Sequence, residues 1–420
     1  MRQSLPLRIA LVWPPQRLVV ETLFRHYVEL AEVAGYMLSS RLFQRHPVTL
    51  EVHDCSVSPY SPARLAAVAS RCHFIAMAVN PYNVLDAVKT ASFLKSVNAQ
   101  LLLVAYGSFC CYGSSHLSAT RLFDNVVATG EWELGLEVAL LCHGLVDRPA
   151  LHSALRFEAD TFTMQDCTIR LKDGVQLDPR EWGMPPYQHI PTADYLRVGE
   201  GVINLRVARG CPHKCRFCDE AYVAGCRFRY RPHSPVLRFL TDYPVGAQIA
   251  YLNASAFTAD REWVLGLCAA LEEQAHLPWR ACTRLDLVDE PLIQMMARAG
   301  CKRLSFGLES LEPSAQDWIG KRASTSTITD VVRWCHASGV TPRALLILGL
   351  PNQTASGIRE THAYLTRLGM EIRYRPFLDL GRFSDGTLTL NNLDDADRWS
   401  NPVEVAGMSA AEIRALEFNL

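Results

Sequence analysis

The segment Leu205–Cys226 reads LRVARGCPHKCRFCDEAYVAGC, and it indicates both the fold and the chemistry of the second half of the chain. Cys211, Cys215 and Cys218 follow a strand-like run and are separated by three and then two residues. A structural zinc site needs four ligands and a disulfide needs two thiols, so three thiols in one loop suit neither. Zinc with Cys226 or His213 as the fourth ligand is the alternative, although the loop lacks the paired CxxC spacing that is typical of zinc sites.

The overall composition is that of a globular protein with two or three domains. The chain has 420 residues, of which 49% are hydrophobic, and its 42 basic and 43 acidic residues leave a net charge of -1. This balance argues against a general nucleic-acid-binding protein. No apolar run reaches the roughly 18 residues of a membrane span, and the N-terminal segment lacks a signal-peptide cleavage site. We therefore expect a cytoplasmic protein that does not associate with membranes.

Strands and helices alternate regularly in the first 145 residues. The predicted strands are apolar runs at 7–13, 48–54, 73–79, 100–107 and 125–130. Apolar strands that each lead into a helix are typical of a parallel sheet covered on both faces, and five of them predict a flavodoxin-like doubly wound domain over residues 1–145. A ligand would lie beyond the carboxyl ends of these strands, where small residues such as Gly107 and Ser108 let a large planar group approach the backbone. The alternative is that these segments are ordinary strand-to-helix turns.

Residues 146–200 are predicted to be a linker that contains a short hairpin. The sequence TFTMQDCTIRLKDGVQL alternates between polar and apolar residues, and its turn is predicted at Lys172-Asp173-Gly174. The proline-rich segment 182–195 predicts an extended connection.

Six further strand–helix units follow from Val202. The predicted strands lie at 203–209, 247–254, 279–285, 303–309, 342–350 and 371–377. This series predicts a partial (β/α)6 barrel of the TIM type over residues 201–380, followed by a short extension over 381–420. Catalytic groups in such barrels cluster at the carboxyl ends of the strands, and the cysteine loop follows the first predicted strand.

Three cysteines fit an iron–sulfur cluster that keeps one iron open. A cubane has four irons, normally held by four thiolates. If the protein supplies three thiolates, one iron retains an open coordination position, which is what a catalytic metal needs.

The segment RGCPHKCRFC, at the end of the first barrel strand, resembles the radical S-adenosylmethionine (SAM) superfamily. The resemblance implies that Cys211, Cys215 and Cys218 hold a [4Fe–4S] cluster whose fourth iron binds SAM, and that SAM is cleaved to a 5'-deoxyadenosyl radical. It extends over 302–354, around the fourth and fifth strands. The SAM-binding residues that it implies are Phe217 near the adenine, Asn253, Ser255, Arg284, Glu309 and Gly349. The alternatives are a simple ion pair between Arg284 and Glu309 and a turn role for Gly349.

The first half of the chain resembles the cobalamin-binding domain that precedes the barrel in one radical SAM subfamily, the class B-like methyltransferases. The implied cobalamin-binding residues are Pro14, Asn80, Gly107, Ser108, Gly130 and Glu131. Two features depart from the family pattern. No Asp-x-His-x-x-Gly motif follows the first strand, so a lower axial histidine is not evident. Tyr106-Gly107 stands where relatives commonly have Gly-Gly, and the Tyr106 side chain could narrow the groove for the nucleotide tail.

The resemblance implies cobalamin-dependent methylation of an unactivated carbon in a small-molecule substrate, either a natural product or an amino-acid-like compound. It also implies an external one-electron reductant of the flavodoxin or ferredoxin type. The alternative is a non-methylating radical SAM enzyme that rearranges, oxidises or cyclises its substrate, or transfers another fragment of SAM, with a vestigial or repurposed cobalamin domain. A non-enzymatic iron–sulfur or zinc module is disfavoured because polar residues occur at several predicted strand ends.

Overall fold

The computed structural model describes residues 6–15, 23–156, 161–213 and 215–377, together with positions 379, 405, 407–409, 412 and 416. The chain divides into two compact units between Leu205 and Arg206. Each unit is an α/β structure built on a parallel sheet, which confirms the predicted fold class. Most of the predicted extension at 381–420 lies outside the described residues.

A seven-stranded sheet forms the first unit, in the order β2-β1-β3-β4-β5-β7-β6. Its strands are β1 (Leu7–Trp13), β2 (Val48–Asp54), β3 (Phe74–Ala78), β4 (Leu102–Tyr106), β5 (Asn125–Val127), β6 (Phe162–Gln165) and β7 (Thr168–Leu171). The strands β1 to β5 are parallel, and their order is that of a flavodoxin-like sheet. The central strand β3 is buried along its whole length because helices cover both faces, which explains its continuous apolar sequence.

The helices of the first unit follow the strands in alternation. They are α1 (Leu23–His26), α2 (Glu32–Ser39), α3 (Arg41–Arg45), α4 (Pro62–Arg71), α5 (Val84–Val97), α6 (Ser108–Ala119), α7 (Trp132–Cys142), α8 (Ser153–Arg156) and α9 (Thr192–Val198). A π-helical turn, Tyr27–Ala31, joins α1 to α2. Such turns are rare and often occur at functional sites.

The hairpin belongs to the sheet, and its predicted turn position is wrong. Gln165 pairs with Thr168, so the turn consists of Asp166 and Cys167. Asp166 has a φ of +51°, a left-handed conformation that aspartate tolerates better than most residues. The tripeptide at 172–174 is also a turn, but it follows β7. The alternating pattern continues through Asp166, so the pattern did not mark the turn.

The segment predicted as an extended connection is partly helical and packs closely on the first unit. Residues 192–198 form α9, and Trp182 and Tyr195 are buried. At Gly35 in α2, an added Cβ would lie 1.8 Å from the carbonyl oxygen of Met184, so the backbone of this segment lies directly on α2. The prolines of this segment made its helix hard to predict from the sequence. The buried side chains of Trp182 and Tyr195 explain why the segment packs on the first unit.

A six-stranded parallel sheet forms the second unit, in the order β15-β14-β13-β12-β11-β8. Its strands are β8 (Val202–Arg206), β11 (Ile249–Asn253), β12 (Trp279–Thr283), β13 (Cys301–Glu309), β14 (Thr341–Leu348) and β15 (Glu371–Pro376). A separate two-stranded ladder consists of β9 (Ala208–Arg209) and β10 (Arg229–Tyr230). The parallel six-stranded sheet agrees with the predicted partial barrel.

Four of the helices described in the second unit begin at a polar side chain that caps them. The described helices of this unit are α10 (Glu220–Val223), α11 (His233–Thr241), α12 (Arg261–Glu272), α13 (Glu290–Arg298), α14 (Pro313–Ile319), α15 (Thr325–Ala337) and α16 (Ala355–Arg367). Asp260, Asp289, Ser324 and Thr354 each accept a hydrogen bond from the backbone N–H three residues further on, at the starts of α12, α13, α15 and α16. None of the helices in the described part of the chain is long and apolar enough to cross a membrane.

Gly107 allows the ends of β3 and β4 to meet, and its replacement tests this contact. It has a φ of +116°, and an added Cβ would lie 2.5 Å from the carbonyl oxygen of Val79. Gly107→Ala should therefore destabilise the protein by about 3 kcal/mol, from backbone strain and overpacking. Gly144→Ala is the matched control, because Gly144 also has a positive φ but no atom lies within 4 Å of the added Cβ. The control should cost about 1 kcal/mol. Equal losses in urea unfolding would contradict the packing argument.

Candidate active site

The two ends of the cysteine loop lie side by side as antiparallel segments. The ladder of β9 and β10 brings the two ends of the loop together. Gly210 begins the loop with a φ of +83°, and a Cβ there would lie 2.2 Å from the carbonyl oxygen of Arg227. The amide of Cys211 donates a hydrogen bond to the carbonyl oxygen of Gly225 at 2.9 Å. Glycine is required at position 210 because the returning backbone occupies the space of a side chain.

The three cysteines of the motif differ in exposure. Cys211 is buried, Cys215 is half-buried and Cys218 is exposed. A tight turn joins the last two, since the amide of Cys218 donates to the carbonyl oxygen of Cys215 at 3.0 Å. Cys226 is also exposed, and its thiol lies 3.8 Å from the carbonyl oxygen of Ala221 in α10.

The three thiols of the cysteine loop suit an iron–sulfur cluster better than a single zinc ion. Within the described residues, no group of three or more His, Cys, Asp and Glu side chains could hold one metal ion. Zinc draws its ligands to about 2.0–2.3 Å from one centre, and zinc held with Cys226 or His213 stays the alternative prediction. A cubane needs a less compact set, because each thiolate binds a different iron. Three thiols on one closed loop fit that requirement.

Glu220, which sequence reasoning missed, ties the loop to the end of β11. Its carboxylate accepts a hydrogen bond from the amide of Gly210 at 3.0 Å and another from the hydroxyl of Ser255. Burial raises the pKa of Glu220, and the nearby charge of Arg206 opposes that rise. Ser255, an implied SAM ligand, is therefore engaged by the chain itself. The sequence signal that could have identified Glu220 is its position two residues after the third cysteine.

Asn253 lies at the mouth of the barrel. Its carbonyl oxygen accepts a hydrogen bond from the amide of Val207 at 2.8 Å, which joins the end of β11 to the residue after β8. Its side chain is hydrogen-bonded to the phenol of Tyr251, two residues earlier on the same face of β11. The implied SAM ligand Asn253 is thus held in place by both its main chain and its side chain.

Arg284 lies beside the cysteine loop and is oriented by Asp286. Its Nε donates to Oδ1 at 2.8 Å and its Nη2 donates to Oδ2 at 2.7 Å, a bidentate arrangement. This hydrogen bonding raises the pKa of Arg284, and the negative charges of Cys215 and Cys211 act in the same direction. The guanidinium is therefore within electrostatic reach of both cysteines, in a position to meet a carboxylate at the barrel mouth.

Glu309 ends β13 in a strained conformation and pairs with Lys321. Its φ is +63°, a conformation that costs non-glycine residues about 1–3 kcal/mol and is concentrated at functional sites. The Nζ of Lys321 lies 3.3 Å from its Oε1, and both side chains are only 11% exposed. A Cβ on Gly307 would lie 2.5 Å from that same Oε1, so Gly307 leaves the room that the carboxylate occupies. Arg284 and Glu309 each have another ion-pair partner, Asp286 and Lys321, and Arg284 also acts electrostatically on Glu309.

Phe217 and Gly349 lie against the same wall of the barrel mouth. The half-buried ring of Phe217 packs on a small apolar cluster that includes Ile319, Ile347 and Leu350. Gly349, between the last two of these, has a φ of +82°, and its amide donates to the side-chain oxygen of Gln353 at 2.7 Å. Gly349 therefore has the turn role that was its alternative interpretation, next to the ring implied to contact adenine.

Two buried donors lie at the carboxyl edge of the first sheet. Asn80 is fully buried, and its Nδ2 has no hydrogen-bond partner among the described residues. The same holds for Nε1 of Trp13, the residue before the buried Pro14. Such donors cost about 1–3 kcal/mol when unsatisfied, so they suit a ligand rich in acceptor groups. Cobalamin carries peripheral amides, and this edge fits it in that respect. Sequence reasoning missed Trp13.

The other residues implied in cobalamin binding are engaged by the chain. Gly107 and Ser108 lie against the π-helical turn, where the Ser108 hydroxyl is 3.3 Å from Oε1 of Glu29. Gly130 is buried, and Glu131 accepts a hydrogen bond from a backbone amide at 3.1 Å. The hydroxyl of Tyr106 donates to the carbonyl oxygen of Glu29 at 2.6 Å, so its ring packs against the π-helical turn.

A buried histidine at this edge was also missed. Nδ1 of His26 lies 2.6 Å from Oδ2 of Asp54, which also accepts a hydrogen bond from Tyr195 at 2.9 Å. The imidazole stacks on Trp13 with ring centroids 3.8 Å apart. Burial alone would raise the pKa of Asp54, but His26 and its other hydrogen-bond partners hold the pKa below its ordinary value. The carboxylate orients the ring, and the three partners are too distant in sequence to be recognised as a set.

Residues 205–365 match the model of the Radical SAM superfamily. The match spans the cysteine loop and most of the barrel strands, and it confirms the resemblance found there. The domain implies a [4Fe–4S] cluster and SAM as cofactors.

Two solved structures share the fold of most of the chain. One is the radical S-adenosylmethionine methyltransferase TsrM from Kitasatospora setae with cobalamin and a [4Fe–4S] cluster bound, with a TM-score of 0.67 at 15% identity, covering 90% of this chain and 74% of that one. The other is the cobalamin-dependent S-adenosylmethionine radical enzyme OxsB with aqua-cobalamin bound, with a TM-score of 0.67 at 14% identity, covering 99% and 56%. At these identities the likeness establishes the fold.

A curated relative is an uncharacterized methyltransferase from Pyrococcus horikoshii. It is 24% identical over 191 residues, which are 45% of this chain and 42% of the relative. The chain therefore spans less than half the length of this relative.

Replacement of single cysteines tests which thiols hold the cluster. After anaerobic reconstitution, Cys215→Ala should lose bound iron and sulfide together with the cluster absorbance. Cys226→Ala, the matched control, should retain both, because its thiol is directed to α10. Loss of the cluster in Cys226→Ala, or its retention in Cys215→Ala, would contradict this assignment.

Glu309→Gln tests the strained carboxylate. A hydrogen bond to a charged group is worth about 1.5–3 kcal/mol, so we expect SAM affinity to fall at least about tenfold in calorimetry. Burial raises the pKa of Glu309, with Lys321 opposing that rise. Wild-type affinity should therefore decline as the pH falls through a range above that of an ordinary glutamate, and the variant should lack this decline. Asp317→Asn, an exposed acid paired with Arg322, is the control. Equal affinities in the two variants would contradict a role for Glu309.

Proposed function

We propose that the protein is a cobalamin-dependent radical SAM methyltransferase that methylates an unactivated carbon of a small molecule. The observation that carries the proposal is the closed three-cysteine loop, with Arg284 within electrostatic reach of two of its thiols. The flavodoxin-like sheet of the first unit, with buried donors at its carboxyl edge, supports the assignment of cobalamin.

In this proposal Cys211, Cys215 and Cys218 hold the cluster, while Arg284 and Glu309 bind the amino-acid part of SAM. When bound, the cluster and SAM supply a carbon radical for hydrogen abstraction, and cobalamin supplies the methyl group. The chain orients these groups: Asp286 fixes the fork of Arg284, and Lys321 holds the carboxylate of Glu309 in its buried position. Phe217 offers an aromatic surface beside the mouth, where the adenine would stack.

The first unit would hold cobalamin through the edge formed by β1 and β3. Trp13 and Asn80 are the residues that offer N–H groups to its amides. The named structures, both solved with a cobalamin bound, support this assignment by fold. The other implied residues, Pro14, Gly107, Ser108, Gly130 and Glu131, follow the strands at this edge, and the side chains of Ser108 and Glu131 are hydrogen-bonded within the chain.

The proposed substrate is a small molecule, either a natural product or an amino-acid-like compound. The cluster requires one electron from outside the chain, and we assign this role to a flavodoxin- or ferredoxin-type donor.

The experiment uses the full chain, reconstituted anaerobically with iron, sulfide and hydroxocobalamin. Under a strong reductant the wild type should cleave SAM, and with methyl-labelled SAM the label should appear in a product formed from candidate small molecules or a cell extract. Absence of both a cluster and SAM cleavage would overturn the radical SAM function. SAM cleavage with an altered but unlabelled product would favour the non-methylating alternative.

Trp13→Phe tests the cobalamin edge without using activity. The change removes the indole N–H but keeps an aromatic ring that can stack on His26. We expect the affinity for hydroxocobalamin, measured by absorbance titration, to fall about fivefold, since one hydrogen bond contributes about 1 kcal/mol. Stability without cobalamin should fall by only about 1 kcal/mol, the cost of a smaller ring in a buried position, because the removed donor has no partner among the described residues. Unchanged cobalamin affinity would contradict the contact.

A further inference from the structure

Glu220 joins three parts of the second unit through one carboxylate. It is the first residue of α10, which follows the third cysteine of the cysteine loop. Its Oε1 accepts a hydrogen bond from the amide of Gly210, the residue at which the loop begins, at 3.0 Å. The carboxylate also accepts a hydrogen bond from the hydroxyl of Ser255, two residues after the end of β11. One side chain therefore holds together the start of the loop, its helix and the end of a barrel strand.

Two residues that flank the cysteine loop are also hydrogen-bonded to this strand end. The amide of Val207 donates to the carbonyl oxygen of Asn253 at 2.8 Å, and the hydroxyl of Tyr230 donates to the carbonyl oxygen of Ala256 at 3.0 Å. These contacts fix the base of the loop against β11, but they do not reach the segment that carries the cysteines. Glu220 supplies a contact from within that segment.

The surroundings of Glu220 suit a group that acts through its neighbours. Burial raises the pKa of Glu220, and the charge of the buried Arg206 opposes that rise. A buried charge is costly unless it is paired and hydrogen-bonded. The amide of Gly210 and the hydroxyl of Ser255 meet this requirement from two different segments. The carboxylate is therefore engaged by the chain on both sides.

Ser255 differs from Glu220 in being exposed. A serine hydroxyl has one proton to donate and two lone pairs that accept. Because Glu220 takes the proton, the hydroxyl presents its lone pairs to a ligand at this end of β11. Hydrogen bonds to a carboxylate are roughly twice as strong as those between neutral groups, so this bond fixes the rotation of the hydroxyl. Ser255 is thus oriented as an acceptor for a donor group of the ligand.

We propose that Glu220 is a positioning residue for SAM, which acts by orienting the hydroxyl of Ser255 relative to the cysteine loop. This inference rests on the proposed function, because it concerns the same site and adds a residue to it. The cysteines assigned to the cluster and the hydroxyl assigned to SAM lie on separate segments. Glu220 fixes one segment relative to the other, so the affinity for SAM depends on a carboxylate that SAM does not contact.

A double-mutant cycle tests this coupling, because residues that act through one another give effects that are not additive. The full chain is reconstituted anaerobically with iron and sulfide, and SAM binding is measured by calorimetry. Glu220→Ala and Ser255→Ala should each retain the cluster absorbance, since all three thiols remain. Each should bind SAM about tenfold more weakly than the wild type, the order expected for one hydrogen bond to a charged group. In the Ser255→Ala background, Glu220→Ala should weaken SAM binding by less than about twofold.

Glu220→Gln keeps the test valid if Glu220→Ala does not fold or loses the cluster. Its side-chain oxygen can still accept from the amide of Gly210, while its neutral amide holds the hydroxyl of Ser255 less firmly. It should bind SAM at least about threefold more weakly than the wild type, and this difference should vanish in the Ser255→Ala background. Asp289→Ala is the matched control. Asp289 also accepts a hydrogen bond from a backbone amide of this unit, that of Leu292 at 3.0 Å, but it caps α13, and its variant should bind SAM as the wild type does.

Three outcomes would overturn the inference: wild-type SAM affinity in Glu220→Gln, additive losses in the cycle, or an equal loss of affinity in Asp289→Ala. Wild-type SAM cleavage is measured in the same preparation. Additive losses in a protein that cleaves SAM overturn the inference and leave the proposed function intact. A wild type that holds no cluster and cleaves no SAM overturns the proposed function. A wild type that cleaves SAM and shows the coupling, but transfers no methyl group, supports the inference and contradicts methylation.

Discussion

The parallel pairing of the strands is the constraint on which both units depend. Parallel strands end at the same edge of a sheet, so residues far apart in sequence meet there without any direct link between them. In the second unit this edge gathers the cysteine loop, Arg284 and Glu309, which come from the ends of three different strands. In the first unit it gathers Trp13, Asp54 and Asn80. The direction of the strands therefore decides which side chains come together at each edge.

Several residues at these strand ends have a strained backbone conformation or an unusually close backbone contact. Gly210 and Gly107 allow backbones to approach more closely than a Cβ would permit, and Glu309 adopts a positive φ without being glycine. Strain of this kind persists only when surrounding contacts compensate for it. The ion pair of Glu309 with Lys321 and the ladder that closes the cysteine loop are such contacts. The residues of the candidate site are thus held at positions that the strands alone would not provide.

The sheet of the second unit has one apolar face and one face on which most side chains are polar. Its helices cover apolar residues, and the stability of the barrel follows from that burial. The other face of the sheet carries half-buried arginines, of which Arg303 and Arg343 share the carboxylate of Glu371.

The sequence by itself determined the fold class and the most specific part of the site. Apolar runs of six to eight residues identified the five parallel strands β1 to β5 of the first unit, because buried parallel strands are continuous in hydrophobicity. The turn of the hairpin and the helix α9 were misread, since alternation and prolines mark such boundaries poorly. Cys211, Cys215 and Cys218 were recognisable because their ligand spacing is local. Glu220, Lys321 and the His26–Asp54 pair were not. These depend on register and on contacts between distant segments, which only the tertiary structure decides.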